Sequence, residues 1–185
     1  ESIELAVHNA GRLMKEGRAN AVTLEGGAAV CPQIQAITAC GIPVMAHIGL
    51  TPQSINAFGG NKVQGKNEAR AKELLEDAKK VQEAGAFALT LECVPKPLAA
   101  LISKELRIPT IGIGAGDGCD GQILVYQDML GLFSDYTPKF VQHFANLGGE
   151  MQAAFHAYDE AVKNGTFPDD AHAFKMDDSV LERLY

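Results

Sequence analysis

The 185 residues carry no surplus of positive charge, no long apolar run and no paired-cysteine spacing, and each absence removes a class of function. Lysine and arginine number 16 against 23 acidic residues, for a formal charge of −7. With a pI near 5.2, the chain lacks the basic face that nucleic acid or an anionic membrane surface requires of a partner. No apolar stretch reaches the roughly 18–20 residues that span a bilayer, and no basic-then-apolar leader is present. The cysteines at 31, 40, 93 and 119 show no CxxC spacing. In a chain able to build an ordinary core they read as free thiols in a reducing compartment, which predicts a cytoplasmic protein. What is there is ordinary globular material, 46% hydrophobic and 21% charged, which excludes disorder and fits one domain over residues 1–185.

Apolar runs and helical patterns alternate along the chain. Ile3, Leu5, Ala6, Ala10, Leu13 and Met14 share one helical face, with Ser2 as the only cap candidate before it. A short run closes at Gly26–Gly27, helical residues follow over 31–40, and a strand is expected over 42–50. A polar, Gly-rich loop covers 51–66. Asn67 can cap the next helix, whose Leu74, Leu75, Ala78 and Val81 share a face and which Gly85 ends. Strands are expected at 86–94, 109–116 and 122–126, with a helix at 98–106 between the first two. Helices are expected at 138–144 and 150–163. Such alternation predicts a parallel sheet covered by helices. The segments AVTLE (21–25) and ALTLE (88–92) repeat each other at a spacing that suits two βα units of an α/β barrel. Five strands are visible, against the eight that close a barrel; a smaller doubly wound sheet is the alternative.

Side chains alternate along a strand, so Thr23 and Glu25 share a face, as do Thr90 and Glu92. Both glutamates fall where an apolar strand gives way to its loop, the end at which parallel α/β folds carry their active sites. Two carboxylates there can bind a divalent cation, one can act as a base, or each can sit in a salt bridge at the rim. His47 lies within an expected core strand, where it is either a hydrogen-bonded structural histidine or a substrate contact. Cys93 adjoins Glu92, whose charge disfavours a thiolate, so it is a poor nucleophile. GDGCDG (116–121) matches GxGxxG, but the apolar QILVY that follows reads as a strand. The helix whose N-terminus would meet a dinucleotide is not expected there. Lys62, Lys66 and Arg70 read as a solvated basic stretch.

Taken together, HIGLTPQSINAFGGNKVQG (47–65), LECVP (91–95) and PTIGIGAGDGCDGQILV (109–125) closely resemble the ketopantoate hydroxymethyltransferase family. The likeness runs over nearly the whole chain, to about Phe174. It implies a (β/α)8 TIM barrel of the phosphoenolpyruvate/pyruvate superfamily, usually a decameric homo-oligomer, that binds Mg2+. The reaction it implies transfers a hydroxymethyl group from 5,10-methylenetetrahydrofolate to 3-methyl-2-oxobutanoate, giving 2-dehydropantoate in pantothenate biosynthesis. By the same resemblance Glu92 matches the proton acceptor, Glu25 a magnesium-site glutamate, and His47 a histidine beside the substrate. Thr23 stands where the family has a lysine that contacts the keto acid. Threonine is neutral and short; it can hydrogen-bond a carboxylate but cannot supply the charge.

The family's two metal-site aspartates lie on earlier strands, in segments like VGDS and DLPF that do not occur here. The visible residues are therefore expected to be strands four to eight plus C-terminal helices, a barrel lacking its first three βα units. With Glu25 as the remaining metal ligand, weak magnesium binding is expected, and the chain on its own is expected to associate and not to turn over. Two other readings remain: a related magnesium-dependent lyase or aldolase of the same superfamily, and a non-catalytic assembly subunit.

Overall fold

The computed structural model describes residues 2–132 and 135–184. Glu1 and Tyr185, the ends of the expected single domain, lie outside the described residues. The chain divides into two compact units, Glu1–Leu124 and Val125–Tyr185.

In the first unit the elements follow as α1 (Ile3–Lys15), β1 (Val22–Glu25), α2 (Cys31–Ala39), β2 (Val44–Gly49), α3 (Ile55–Phe58), α4 (Glu68–Glu83), β3 (Ala88–Glu92), α5 (Lys96–Glu105), β4 (Thr110–Ile113) and β5 (Gly121–Gln122). The five strands form one parallel sheet in the order β1-β2-β3-β4-β5. A doubly wound sheet reverses its strand order at a switch point; this sheet never does. Each strand pairs with the next in sequence, the winding of an α/β barrel.

Local chemistry accounts for the element ends. Ser2 Oγ accepts from the Leu5 N–H (3.2 Å) to start α1, and Asn67 Oδ1 accepts from the Arg70 N–H (3.0 Å) to start α4. The expected loop over 51–66 is less irregular than its composition suggests. It contains a 3-10 turn at Pro52–Ser54, where proline opens the turn, and the single-turn α3, which Gly59 ends in the left-handed conformation (φ 67°).

Alternate residues of the strands point to the helices and are fully buried. Val44, Ala46 and Ile48 of β2 and Leu89 and Leu91 of β3 pack with Ile34 and Ile37 of α2, Ala78 and Val81 of α4, and Ala99 and Ile102 of α5. Burying each large aliphatic side chain stabilises the fold by about 1.5–3 kcal/mol. A polar network also belongs to this side. Thr110, fully buried, donates its N–H and its Oγ1–H to Asp120 Oδ2 (2.8 and 3.0 Å), and its hydroxyl lies 2.6 Å from that of Ser103.

Two expectations are corrected toward the C-terminus. The strand expected at 122–126 amounts to Gly121–Gln122, because Val125 caps α6 (Tyr126–Met129). The helix expected at 138–144 does not form. The Val141 N–H closes only a turn on Pro138 O, and the Phe144 N–H donates to Met129 O at the end of α6 instead of continuing a helix. The second unit then continues through α7 (Leu147–Lys163) and α8 (Asp178–Leu181), neither of which has a buried residue.

Candidate active site

Three ionisable side chains meet at the carboxyl end of the sheet, on the side away from the helices. The register sets Glu25 of β1 opposite His47 of β2, and Glu92 of β3 opposite Gly49, two residues further along β2. Alternation therefore places Glu25, His47 and Glu92 on one face. His47 lies between the carboxylates, its Nδ1 4.0 Å from Glu25 Oε1 and its Nε2 3.0 Å from Glu92 Oε2. The three side chains are only 11–16% exposed. The short approach to Glu92 lies off the line that a hydrogen bond needs, so His47 Nε2, although buried, has no hydrogen-bond partner among the described residues.

The backbone fixes these positions beyond the strands themselves. The ladder continues one residue into each loop: Gly26 N–H donates to His47 O (2.9 Å), Leu50 N–H to Glu92 O (2.8 Å) and Cys93 N–H to Ile113 O (2.9 Å). Gly49 has φ 95°, and a Cβ there would run into the Glu92 carbonyl oxygen, so β2 approaches β3 this closely only with glycine. Cys93 turns the chain away from Glu92 with φ 50°, an uncommon value for a residue with a side chain. Burial pushes the Cys93 thiol up, and the Glu92 charge adds to it. That agrees with the expectation of a poor nucleophile, with burial as the larger cause.

Thr23 lies on the same face two residues before Glu25. It is exposed and pairs in register with Met45, outside the contacts that join the other three. A contact that the sequence did not signal comes from the loop after β2, where the Gln53 N–H donates to Glu25 Oε2 (3.0 Å). Lys62, Lys66 and Arg70 are exposed as expected.

Behind the carboxyl ends of β1 and β2, on the helix side, is a second cavity of about 170 Å3, lined among others by Gly27, Thr51, Phe58, Arg70, Glu73 and Asp77. Its charged groups already have partners: Arg70 pairs with Glu73 (2.6 Å), and Asp77 Oδ1 accepts from the backbone N–H of Ala28 (2.9 Å). In the second unit, His156, Asp159 and Glu160 bring their ligand atoms within 4.8 Å of one another, but they are exposed on α7, and Lys163 already pairs with Asp159.

Comparison with known proteins decides the family. A family model described as Ketopantoate hydroxymethyltransferase matches residues 1–170. The chain belongs to the ketopantoate hydroxymethyltransferase family. It is 66% identical to a 3-methyl-2-oxobutanoate hydroxymethyltransferase of Enterococcus faecalis over 184 residues, covering 100% of this chain and 67% of that protein. The same identity and coverage hold for a protein of that name from Clostridium novyi, and one from Clostridium beijerinckii is 60% identical. The chain thus spans about two thirds of the length of these curated relatives. Among solved structures, a putative phosphonomutase from Burkholderia cenocepacia gives a TM-score of 0.48 at 15% identity, over 89% of this chain and 66% of that one. No helix among the described residues is long and apolar enough to cross a membrane.

Proposed function

We propose that this chain carries the proton-transfer half of a hydroxymethyltransferase site, with Glu92 as the base that takes the C3 proton of 3-methyl-2-oxobutanoate. The observation that carries this reading is the His47 imidazole set between two carboxylates at the open end of a parallel sheet. His47 Nε2 has no aligned partner, so it is free to orient an oxygen of a 2-oxo acid beside Glu92. A base must lie within reach of the proton it removes, and the carboxylate next to this orienting group meets that requirement. Glu92 then holds the proton while the substrate carbon bonds to the methylene carbon of 5,10-methylenetetrahydrofolate. Water supplies the hydroxyl oxygen, both C–N bonds of the methylene bridge break, and the two folate nitrogens take up the C3 proton and a proton from water. Tetrahydrofolate leaves with 2-dehydropantoate. Thr23, further down the same face, stands beside the substrate carboxylate without supplying a charge.

Magnesium fits Glu25 as a single carboxylate ligand, and this chain alone would hold it weakly. It takes oxygen ligands in near-octahedral geometry and usually draws only one or two from protein carboxylates, the rest coming from water and substrate. Glu25 would hold it through Oε1, and the bound ion would spread the charge of the enolate. The active assembly is a cytoplasmic homo-oligomer, a decamer on the family pattern.

Deuterium exchange at C3 of 3-methyl-2-oxobutanoate tests the reading without the folate. The chain is grafted onto the third of the E. faecalis relative that it does not span and assayed with magnesium. Exchange is expected in the grafted barrel and should fall about 10²–10⁴-fold in Glu92→Gln. Exchange at the parental rate in that variant would remove Glu92 as the base, and none in the parent graft would remove the function.

A further inference from the structure

Glu25 is held from two sides. Its Oε1 faces His47 Nδ1, while its Oε2 accepts from the backbone N–H of Gln53. That N–H comes from the 3-10 turn Pro52–Ser54. The first N–H groups of such a turn have no partner within it. Proline at 52 has none to offer, and the Ser54 N–H is spent on Thr51 O (2.8 Å). The Gln53 donor is thus the one directed at Glu25, from a loop whose first residue, Thr51, is buried.

We propose that the Gln53 backbone N–H is a positioning group, which engages Oε2 of Glu25 so that Oε1 is the oxygen presented to the reaction site. The proposal rests on the reading of Glu25 as a site carboxylate and extends it to the loop after β2. A carboxylate with one oxygen engaged by a backbone donor acts as a one-point ligand, not as a two-point chelate. Its narrow bite as a chelate suits a near-octahedral ion poorly, whereas a single fixed oxygen suits it well. The same contact removes the rotational freedom of a long acidic side chain before substrate arrives, as a precise site requires. The Gln53 side chain has no part in this; the donor is main chain, and the sequence around it matters by setting its direction.

Amide hydrogen exchange on the full chain tests the contact directly. In Glu25→Ala the Gln53 amide is expected to exchange about tenfold or more faster than in the parent, as for loss of a hydrogen bond to a charged acceptor. Glu25→Gln keeps a side-chain oxygen and should keep much of the protection. Unchanged exchange in Glu25→Ala overturns the proposal, whatever the activity. A second measurement asks whether the contact serves the chemistry. An amide-to-ester replacement at residue 53 in the grafted barrel deletes only the N–H. It should lower kcat for C3 exchange about tenfold and leave KM for the keto acid within twofold; equal kcat overturns the positioning role. Amide protection that depends on Glu25, with no C3 exchange in any barrel, would leave the contact standing and remove the function instead.

Discussion

The two faces of the sheet are built from the same strands and do different work. On β2, Val44, Ala46 and Ile48 turn toward the helices and are buried in the core, while the intervening Met45 and His47 face the other way. On β3, Leu89 and Leu91 alternate with Thr90 and Glu92 in the same manner. The core residues of the helix side are apolar, with polar groups confined to the Thr110 network and to the cavity lined by Thr51, Arg70, Glu73 and Asp77, while the other side brings Glu25, His47 and Glu92 together at one end. Stability and chemistry are therefore separable by parity along each strand. A substitution at one residue should damage the fold, and at the next residue the site.

The largest expected effect tests that separation. Glu92→Gln should lower C3 exchange about 10²–10⁴-fold while urea denaturation of the same protein moves little, because no core contact is lost; a collapse of the denaturation midpoint would break the comparison. Its counterpart is Leu89→Ala. It should cost about 2–5 kcal/mol in urea denaturation by leaving a cavity, with Glu92 and His47 still joined. Thr23→Lys probes the polar face more gently. A charge-assisted contact to the keto acid should lower its KM about tenfold in the grafted barrel, the worth of roughly 1.4 kcal/mol. An unchanged KM would mean that the carboxylate is held elsewhere.

The smallest effect is a pH dependence at the Thr110 network. Hydrogen bonds from Thr110, the backbone N–H foremost, hold the Asp120 carboxyl below the usual aspartate range. A depressed folded-state pKa adds stability above the unfolded value of about 3.9, and that stability is lost as the pH falls through the folded value. Asp120→Asn should therefore be less stable than the parent at pH 7, and the difference should vanish in strong acid. A difference that persists in strong acid, where the carboxyl is protonated in the folded state too, would assign the effect to the hydrogen bonds alone.

Much of this was legible in the sequence because it is periodic or local. Apolar runs marked four strands, Asn67 and Gly85 marked the ends of α4, and the AVTLE/ALTLE repeat pointed to two glutamates at equivalent strand ends. Their different alignments against β2 were not legible, since register depends on pairing across chain-distant residues. QILVY is apolar enough for a longer strand, but after the Ile123 N–H donates to Gly112 O the chain turns into α6, which Val125 caps. The Gln53 donor left no trace because a main-chain N–H has no letter of its own. The Asp77–Ala28 contact joins residues 49 apart, beyond any local pattern.

The unreversed strand order also bears on how the chain acquires its shape. Among the described residues every strand finds its partner in the next one along, so pairing within these five strands waits for no distant segment. Loop closure is correspondingly short-range, and contact order is low for a parallel sheet. A chain emerging from the ribosome can add β2 to β1, then β3 to β2, each docking with the helix that has just preceded it. The carboxylate–imidazole–carboxylate cluster needs only β1, β2 and β3 side by side, so it is complete once β3 has docked on β2, whether or not β4 and β5 have yet paired.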